Sequence, residues 1–292
     1  MISFFKFFNK KIFKLYKILL LLFTINHIIY LNFLLIDNNK ISVIIPTYNR
    51  AKLILNSLKS ILNQSYRNIE AIVVDDNSSD NTKEKFNSIN DTRIRYIKLR
   101  KKKGACIARN IGIKKAIGKY ITFQDSDDIS DFDKFEKQIQ NLIKQNSDFD
   151  FCKIRLYYFN KTNYKIVPFN YQHKKIMENK TLEALCNGNF ISTSSILIKR
   201  SVIQKFFFIN NIPRLQDYDL ILRMIPNHKY SYTQKALITL IIHNDSISNS
   251  DEKLKQSIYI LLKNKYKLNS IQKYIFINYL QRTLKRLNKT KI

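Results

Sequence analysis

The hydrophobic positions in the first half of the chain follow a regular order of short apolar runs and helical repeats. Four apolar or alternating runs predict strands, at residues 41–45, 72–74, 94–99 and 120–123. Apolar residues at helical spacing predict helices between and after them, at residues 51–62, 105–116 and 132–143. Strands that alternate with helices are typical of a mainly parallel sheet covered on both faces. We therefore expect ligands to bind where the strands end.

The pattern is less regular after residue 148. Further strands are predicted at residues 149–159, 195–198 and 236–242, with a short helix at residues 217–225. Residues 252–292 carry apolar residues at helical spacing among many lysines and predict two basic amphipathic helices. This organisation indicates one α/β domain at residues 40–245 and a basic helical tail at residues 246–292.

The first 36 residues have a different character. Five lysines and no acidic residue precede or interrupt the first apolar pieces, and residues 18–36 are almost wholly apolar. As a helix this run would be about 28 Å long, close to the thickness of a bilayer core. Basic residues before it favour a membrane anchor with a cytosolic N-terminus, and no small-residue cleavage pattern follows. The alternative is a hydrophobic helix that packs on the protein or lies in the membrane surface.

Composition narrows the function classes. Only four glycines are present, which excludes Gly-rich dinucleotide and P-loop motifs, and the three scattered cysteines favour reduced core residues. The chain carries 51 basic and 22 acidic residues, a formal net charge of +29. Such a charge favours anionic partners, namely nucleic acid, an anionic membrane or phosphorylated substrates. Compositional drift in a chain rich in Lys, Asn and Ile is the alternative explanation.

Two acidic turns follow predicted strands. The first contains Asp125, Asp127 and Asp128, and carboxylates at a strand end suit a divalent cation that also contacts substrate phosphates. Its alternative role is to cap the next helix through Asp128. The second turn begins at Asp75 and Asp76, where a carboxylate can accept hydrogen bonds from a base or ribose, or can belong to a helix cap.

A third segment opens a helix after a run of basic residues. It reads Gly-Ala-Cys-Ile-Ala-Arg-Asn from Gly104 and contains Arg109. A helix N-terminus and an arginine both suit phosphate groups. The preceding basic run, residues 100–103, is more typical of a solvated loop that steers anions.

Taken in order, the segments at residues 42–50, 73–80, 108–112 and 118–128 closely resemble the family-2 glycosyltransferases of GT-A fold. The resemblance implies a Rossmann-like sheet flanked by helices and a nucleotide-sugar donor, with a UDP-sugar favoured. It also implies Mn²⁺ or Mg²⁺ as the cofactor, with Asp127 as the metal-binding carboxylate and Asp125 near the ribose or metal. The implied donor-binding residues are Pro46, Thr47, Tyr48, Arg50, Asp76 and Arg109.

Residues 215–220 resemble the family's catalytic segment, which usually reads Glu-Asp. Here Gln216 replaces the Glu, and Asp217 keeps the position of the general base, with Asp219 as its rival. His243 is a candidate late metal ligand, although an exposed turn histidine is the commoner case. The hydroxyl-rich residues 192–195 can line an acceptor pocket or form an ordinary polar turn.

These observations predict a membrane-associated, metal-dependent, inverting glycosyltransferase that moves a single sugar to a hydroxyl acceptor. The single transfer follows from the missing Q-x-x-R-W signature of processive members, since the chain has no tryptophan. One alternative is a nucleotidyltransferase, which would need a Gly- and Arg-rich loop after the first strand. The other is a basic binding protein on a degenerate transferase fold, although no nucleic-acid-binding module is evident and nucleic acid is not expected as a partner.

Overall fold

The protein is described by a computed structural model that covers residues 21, 24, 39–158, 164–242 and 250–289. The chain divides into two units, Met1–Lys40 and Ile41–Ile292, and the architecture below is that of the second. Nearly all of the predicted anchor at residues 18–36 lies outside the described residues. Among the residues that are described, no helix has both the length and the hydropathy of a membrane span.

Nine strands form one sheet in the described part of the chain. They are β1 (Ile41–Thr47), β2 (Ile69–Asp75), β3 (Ile94–Lys98), β4 (Tyr120–Phe123), β5 (Ile129–Ser130), β6 (Phe149–Tyr158), β7 (Tyr164–Val167), β8 (Ile196–Lys199) and β9 (Tyr230–Ile242). The described α-helices are α1 (Ile54–Leu62), α2 (Thr82–Asn87), α3 (Ala105–Lys115), α4 (Lys134–Lys144), α5 (Asn170–Met177), α6 (Thr181–Cys186), α7 (Arg200–Ile203), α8 (Gln216–Met224), α9 (Asp251–Lys263) and α10 (Ser270–Lys289).

The strand order is β3-β2-β1-β4-β8-β6-β9-β5, and β7 pairs with β6 outside this path. The first four strands are parallel, as βαβ connections require. Strand β8 is antiparallel to both of its neighbours, and β6 and β9 pair in parallel. The sheet is therefore parallel among β1 to β4, the strands that the candidate donor-site motifs follow, and it is mixed beyond β4.

The central strands are apolar because both of their faces are covered. In β1, Val43 and Ile45 join the cluster that contains Leu58 of α1 and Phe135 of α4. Ile44 points to the opposite face, into the cluster that contains α3 and the C-terminal helices. A strand buried on both faces reads as a continuous apolar run, which explains the runs in the sequence.

Helix α3 lies unusually close to the sheet. A Cβ atom on Gly112 would lie 2.4 Å from Cγ2 of Ile44, so the absence of a side chain at this position permits the contact. This close approach brings the buried Arg109, one turn earlier on the same helix, to the carboxyl end of the sheet.

The C-terminal helices pack into the main core. Ile258 and Leu261 of α9 and Phe276 and Leu280 of α10 are buried in the same cluster as α3 and α8. The Phe276 ring contacts Tyr218 of α8 edge-on, with ring centroids 5.9 Å apart. The predicted boundary between residues 245 and 246 falls outside the described residues, so the division into a domain and a tail stays a prediction.

The predicted α/β architecture is confirmed, with differences in detail. The helix predicted from residue 51 begins at Ile54, because residues 51–53 form a turn in which the Leu53 amide donates to the Arg50 carbonyl at 3.0 Å. The short elements β5, β7 and α5–α7 were not predicted, since runs of two to eight residues give too little periodicity.

Candidate active site

The loops that follow β1 and β2 are joined by a set of side-chain hydrogen bonds. Three consecutive backbone amides of the first loop donate to side-chain oxygens of the second: Asn49 to Ser78 Oγ at 2.9 Å, Arg50 to Thr82 Oγ1 at 3.0 Å, and Ala51 to Asp80 Oδ2 at 3.1 Å. The polar residues after the second strand therefore shape the loop that contains Tyr48 and Arg50.

The two carboxylates of the second acidic turn bind protein groups. Asp75 is fully buried and accepts from the amide of Ser78 at 2.8 Å and from the hydroxyl of Tyr96. Asp76 accepts from the amides of Lys103 at 2.6 Å and Gly104 at 2.7 Å. Gly104 has φ of +94°, a backbone conformation that side chains disfavour, immediately before α3. Asp76 thus fixes the start of α3 by binding the two amides that immediately precede the helix.

Pro46 and Thr47 end β1 beside this turn. The Thr47 side chain is buried, and its Oγ1 has no hydrogen-bond partner among the described residues. A buried hydroxyl without a partner costs free energy, so it suits a site whose ligand supplies that partner. The Tyr48 ring is covered by Lys102, whose Nζ lies 3.7 Å from the ring centroid.

The first acidic turn, Asp125 to Asp128, is held in place by hydrogen bonds to buried polar side chains. The Gln124 side-chain amide donates to the Asp128 carbonyl at 2.6 Å, and Ser57 Oγ donates to the Asp125 carbonyl at 3.0 Å. Ser194 lies between the two ends of the turn: its Oγ donates to Asp128 Oδ2 at 2.7 Å and accepts from the Asp125 amide at 3.2 Å. Burial and the neighbouring carboxylates raise the pKa of the Asp128 carboxyl well above its usual range.

Two of the carboxylates in this turn face arginines. Asp127 lies 3.8 Å from the Nε of Arg50, a long ion pair, and Asp125 Oδ1 accepts from Arg109 Nη2 at 2.6 Å. The Asp125 side chain is about twice as exposed as that of Asp127, at 38% and 17%. The turn therefore directs two carboxylates outward and one, Asp128, into the protein.

Arg109 connects this turn to the second half of the domain. Its Nη1 donates to Gln216 Oε1 at 2.6 Å, and its guanidinium lies 5.4 Å from the centroid of the Phe208 ring. The Gln216 side-chain nitrogen donates to the Ile212 carbonyl at 3.0 Å. A glutamine meets both requirements, because it offers an acceptor to Arg109 and a donor to Ile212.

Asp217 follows directly at the first turn of α8. Burial raises the pKa of its carboxyl to about 6, opposed by the Tyr218 amide, which donates to Asp217 at 2.8 Å, and by the charge of Arg109. A carboxyl with this pKa exchanges its proton near neutral pH, as a general base must.

Asp219, the rival of Asp217, is fully buried and serves as an acceptor for surrounding groups. It accepts from Arg223 Nη2 at 2.7 Å, from the Asn264 side chain at 3.0 Å and from the Tyr266 hydroxyl at 2.8 Å. These bonds fasten α8 to the segment between α9 and α10. The sequence did not reveal this arrangement, because the partners are 45 and 47 residues away.

The donor set of this site fits a hard divalent cation. Such ions take one or two carboxylates and complete their coordination with substrate phosphates and water. Asp127 and Asp125 offer those oxygens, whereas the described residues contain no group of three His, Cys, Asp or Glu side chains that would hold a metal alone. His243, the other predicted ligand, lies outside the described residues.

The role of Ser194 could not be predicted from the sequence, because nothing in a run of hydroxyl residues marks one of them as buried against Asp128.

We expect Ser194→Ala to lower the free energy of unfolding by about 1–3 kcal/mol, since it leaves a buried carboxyl and an amide without their partner. Denaturant unfolding measures this change.

Ser192→Ala is the matched control, since Ser192 Oγ is buried without a hydrogen-bond partner in the described residues. We expect it to leave the free energy of unfolding within about 0.5 kcal/mol of the parent. Equal losses in the two variants would contradict the role of Ser194 in holding the acidic turn.

Known proteins resemble this chain in sequence and in fold. The family described as "Glycosyl transferase family 2" matches residues 42–207. An uncharacterized glycosyltransferase of Haemophilus influenzae is 31% identical over 228 residues, which cover 75% of this chain and 85% of the relative. The Escherichia coli enzyme UDP-Glc:alpha-D-GlcNAc-diphosphoundecaprenol beta-1,3-glucosyltransferase WfgD is 33% identical over 220 residues, 75% of this chain and 83% of its own.

Solved structures share the fold. TarS 1-349 of S. aureus in complex with UDP-GlcNAc aligns with a TM-score of 0.65 and 20% identity over 84% of this chain and 73% of its own. The mannosyltransferase PcManGT of Pyrobaculum calidifontis, in complex with GDP-Man and Mn²⁺, aligns with a TM-score of 0.61 and 16% identity over 85% and 75% of the two chains. The predicted family and enzyme class are confirmed: this chain is a glycosyltransferase and belongs to glycosyl transferase family 2.

Proposed function

We propose that this glycosyltransferase moves one sugar from a UDP-sugar to a hydroxyl acceptor, with inversion at the anomeric carbon. The observation that carries the proposal is the buried Arg109, which binds Asp125 of the acidic turn and Gln216 beside Asp217. One guanidinium thus spans a candidate donor side and a candidate acceptor side. Related proteins support the donor class, because WfgD is a UDP-Glc-dependent glucosyltransferase and TarS 1-349 forms a complex with UDP-GlcNAc.

The donor side is formed by the ends of β1, β2 and β4. The uracil and ribose would contact Pro46, Thr47 and Asp76, with the unpartnered Thr47 hydroxyl as one hydrogen-bonding group. Each oxygen of Asp76 accepts from one backbone amide and keeps a second lone pair, so Asp76 can shape the pocket and still accept a hydrogen bond from the nucleoside. Tyr48 and Arg50, on the loop fixed by Ser78 and Thr82, border the same side.

A divalent cation, Mn²⁺ or Mg²⁺, would be held by Asp127, with Asp125 close by. When bound, such an ion neutralises the charge that develops on a departing diphosphate. The chain's own contribution is to hold the carboxylates in place: Ser194 and Gln124 fix the turn, and Arg109 orients Asp125. Arg50 lies beside the same carboxylate, with its Nε 3.8 Å from Asp127 Oδ2.

Asp217 would act as the general base. A sugar hydroxyl becomes a competent nucleophile when a carboxylate within hydrogen-bond reach accepts its proton as the new bond forms. Asp217 is half-buried beside Arg109, whose charge favours the ionised form, while burial keeps the carboxylate basic enough to accept a proton. Attack from this side, opposite the departing diphosphate, inverts the anomeric configuration.

Hydrolysis and transfer assays with a panel of nucleotide sugars and manganese test the proposed function as a whole. We expect one UDP-sugar to be consumed, with release of UDP. Nucleotide binding without turnover of any sugar would instead favour a binding protein on a degenerate transferase fold. Pyrophosphate release from a nucleoside triphosphate would favour a nucleotidyltransferase.

The role of Asp127 is tested by Asp127→Ala. We expect the variant to lose the manganese-dependent part of UDP affinity in calorimetry, because the principal protein ligand of the ion is removed. Asp133→Ala is the matched control, since it removes a carboxylate six residues later that pairs with surface lysines. If manganese still strengthens UDP binding to Asp127→Ala as in the parent, Asp127 does not bind the metal.

The role of Asp217 is tested by Asp217→Asn. We expect turnover to fall by about 100- to 10,000-fold, the usual loss for a general base, with UDP affinity near that of the parent. Asp219→Asn should mainly lower the free energy of unfolding, because it weakens the bonds to Arg223 and Tyr266. A retained anomeric configuration in the product, or full turnover in Asp217→Asn, would overturn this mechanism.

The same carboxyl predicts the pH dependence of turnover. Its pKa of about 6 means that it is protonated, and unable to accept a proton, at lower pH. We therefore expect kcat to rise as pH increases through about 6 and then to level off. Gln216→Glu should move the midpoint to higher pH, because a second carboxylate would offset the charge of Arg109 that favours ionised Asp217.

Gln216→Met is the control for this shift, since it removes the same hydrogen bond without adding charge. A midpoint that is the same in the parent, Gln216→Glu and Gln216→Met would show that the Arg109 charge does not govern the proton of Asp217.

A further inference from the structure

The turn between α9 and α10 carries an unusual set of outward side chains. Ile271 and Tyr274, on the first turn of α10, are 72% and 71% exposed, the highest values among the large hydrophobic residues described. The lysines at positions 263, 265 and 273, which precede or separate the two residues in the sequence, are exposed as well. We call Ile271, Tyr274 and these three lysines the α9–α10 surface.

The inward side of this segment is firmly held. Tyr266 donates its hydroxyl to the buried Asp219 at 2.8 Å, and its ring meets Phe276 edge-on at 5.6 Å between centroids. Asn264 donates to the same carboxylate at 3.0 Å. Because Asn264, Tyr266 and Phe276 attach this segment to the core, Ile271 and Tyr274 are not exposed through poor packing of the C-terminal helices. These two side chains remain outside a segment that is otherwise well packed.

The charge along the chain has one sign in this segment. No acidic residue occurs from Lys253 to the end of the sequence, whereas eleven lysines and arginines do. The charged side chains that flank the exposed apolar pair along this part of the chain are therefore all cations. An anionic partner is favoured electrostatically, and it must also accept an aliphatic side chain, because Ile271 can neither stack on a base nor form a hydrogen bond.

We propose that the α9–α10 surface is a docking site for an anionic phospholipid bilayer. Large apolar side chains flanked by lysines insert shallowly at the boundary of headgroups and acyl chains, while the lysines bind anionic headgroups. A bilayer accommodates both components, whereas a nucleic acid would bind the lysines and Tyr274 and leave Ile271 in water.

Under the proposed function, this surface lies on the part of the protein that would receive the acceptor. Asp219, which binds Tyr266 and Asn264, lies two residues from Asp217 on α8. The bilayer would thus contact the turn between α9 and α10, which is hydrogen-bonded to α8 on the candidate acceptor side. An acceptor that remains in the membrane would be presented there, although the docking itself does not depend on Asp217 being the base.

Site-specific labelling of the full chain tests the proposal, because it reports which surface meets the bilayer whatever residues 1–36 contribute. The three native cysteines are buried, so a cysteine introduced by Tyr274→Cys can carry an environment-sensitive dye. We expect a blue shift and quenching by spin-labelled lipid with phosphatidylcholine vesicles that contain phosphatidylglycerol. With phosphatidylcholine alone, we expect most of this response to be lost.

Tyr171→Cys is the matched control, since Tyr171 is 53% exposed on α5 among other exposed apolar residues. Its label should not be quenched. Replacement of the lysines at 263, 265 and 273 by glutamine should abolish most of the quenching at position 274, whereas the same change at the exposed lysines 59, 83 and 85 should not.

Three results would overturn the proposal. The first is an unquenched label at position 274, and the second is equal quenching at positions 171 and 274, which would mean that this surface is not preferred. The third is a label that responds to a single-stranded RNA oligonucleotide and not to vesicles, which would identify nucleic acid as the partner.

Discussion

The candidate active site depends on one buried cation. Arg109 lies almost wholly inside the protein, where a charge without a partner is costly. Burial lowers the pKa of its guanidinium, but Asp125, with smaller contributions from Cys106 and Asp217, offsets this, so the net pKa shift is upward and Arg109 stays charged. The guanidinium must therefore keep its bonds to Asp125 and Gln216, which come from distant parts of the chain. Its position in turn requires α3 to lie against the sheet, which the small Gly112 permits.

A buried polar layer supports the acidic turn from the other side. Asp128 is held by Ser194, and Asp150 on β6 accepts from Gln138, Ser231 and other neighbours on α4 and β9. Burial raises the pKa of Asp150 to about 7 and lowers that of Lys134, fully buried on α4, to about 8. Partly neutralised groups of this kind cost less to bury than full charges. The layer fixes the turn while Asp125 and Asp127 remain accessible.

The structure shows where some of the basic residues behind the net charge of +29 lie, which the sequence does not. Near the site, Lys102 lies over the Tyr48 ring, and the turn between α9 and α10 combines the exposed Lys263, Lys265 and Lys273 with the exposed Ile271 and Tyr274. Compositional drift explains the abundance of lysine. It does not explain two large apolar side chains exposed beside a turn that Tyr266 holds tightly against Asp219.

By itself the sequence determined the parallel strands, because β1, β2 and β4 are buried on both faces and so appear as continuous apolar runs. Its ordered motifs also indicated the family and the acidic turns. Only the tertiary structure decided which polar groups meet: Gln216 with Arg109, Ser194 with Asp128, and Tyr266 with Asp219. These contacts join residues 47 to 107 positions apart. Local periodicity records which face of an element is buried, but the partner of a buried polar group is set by the packing of distant elements.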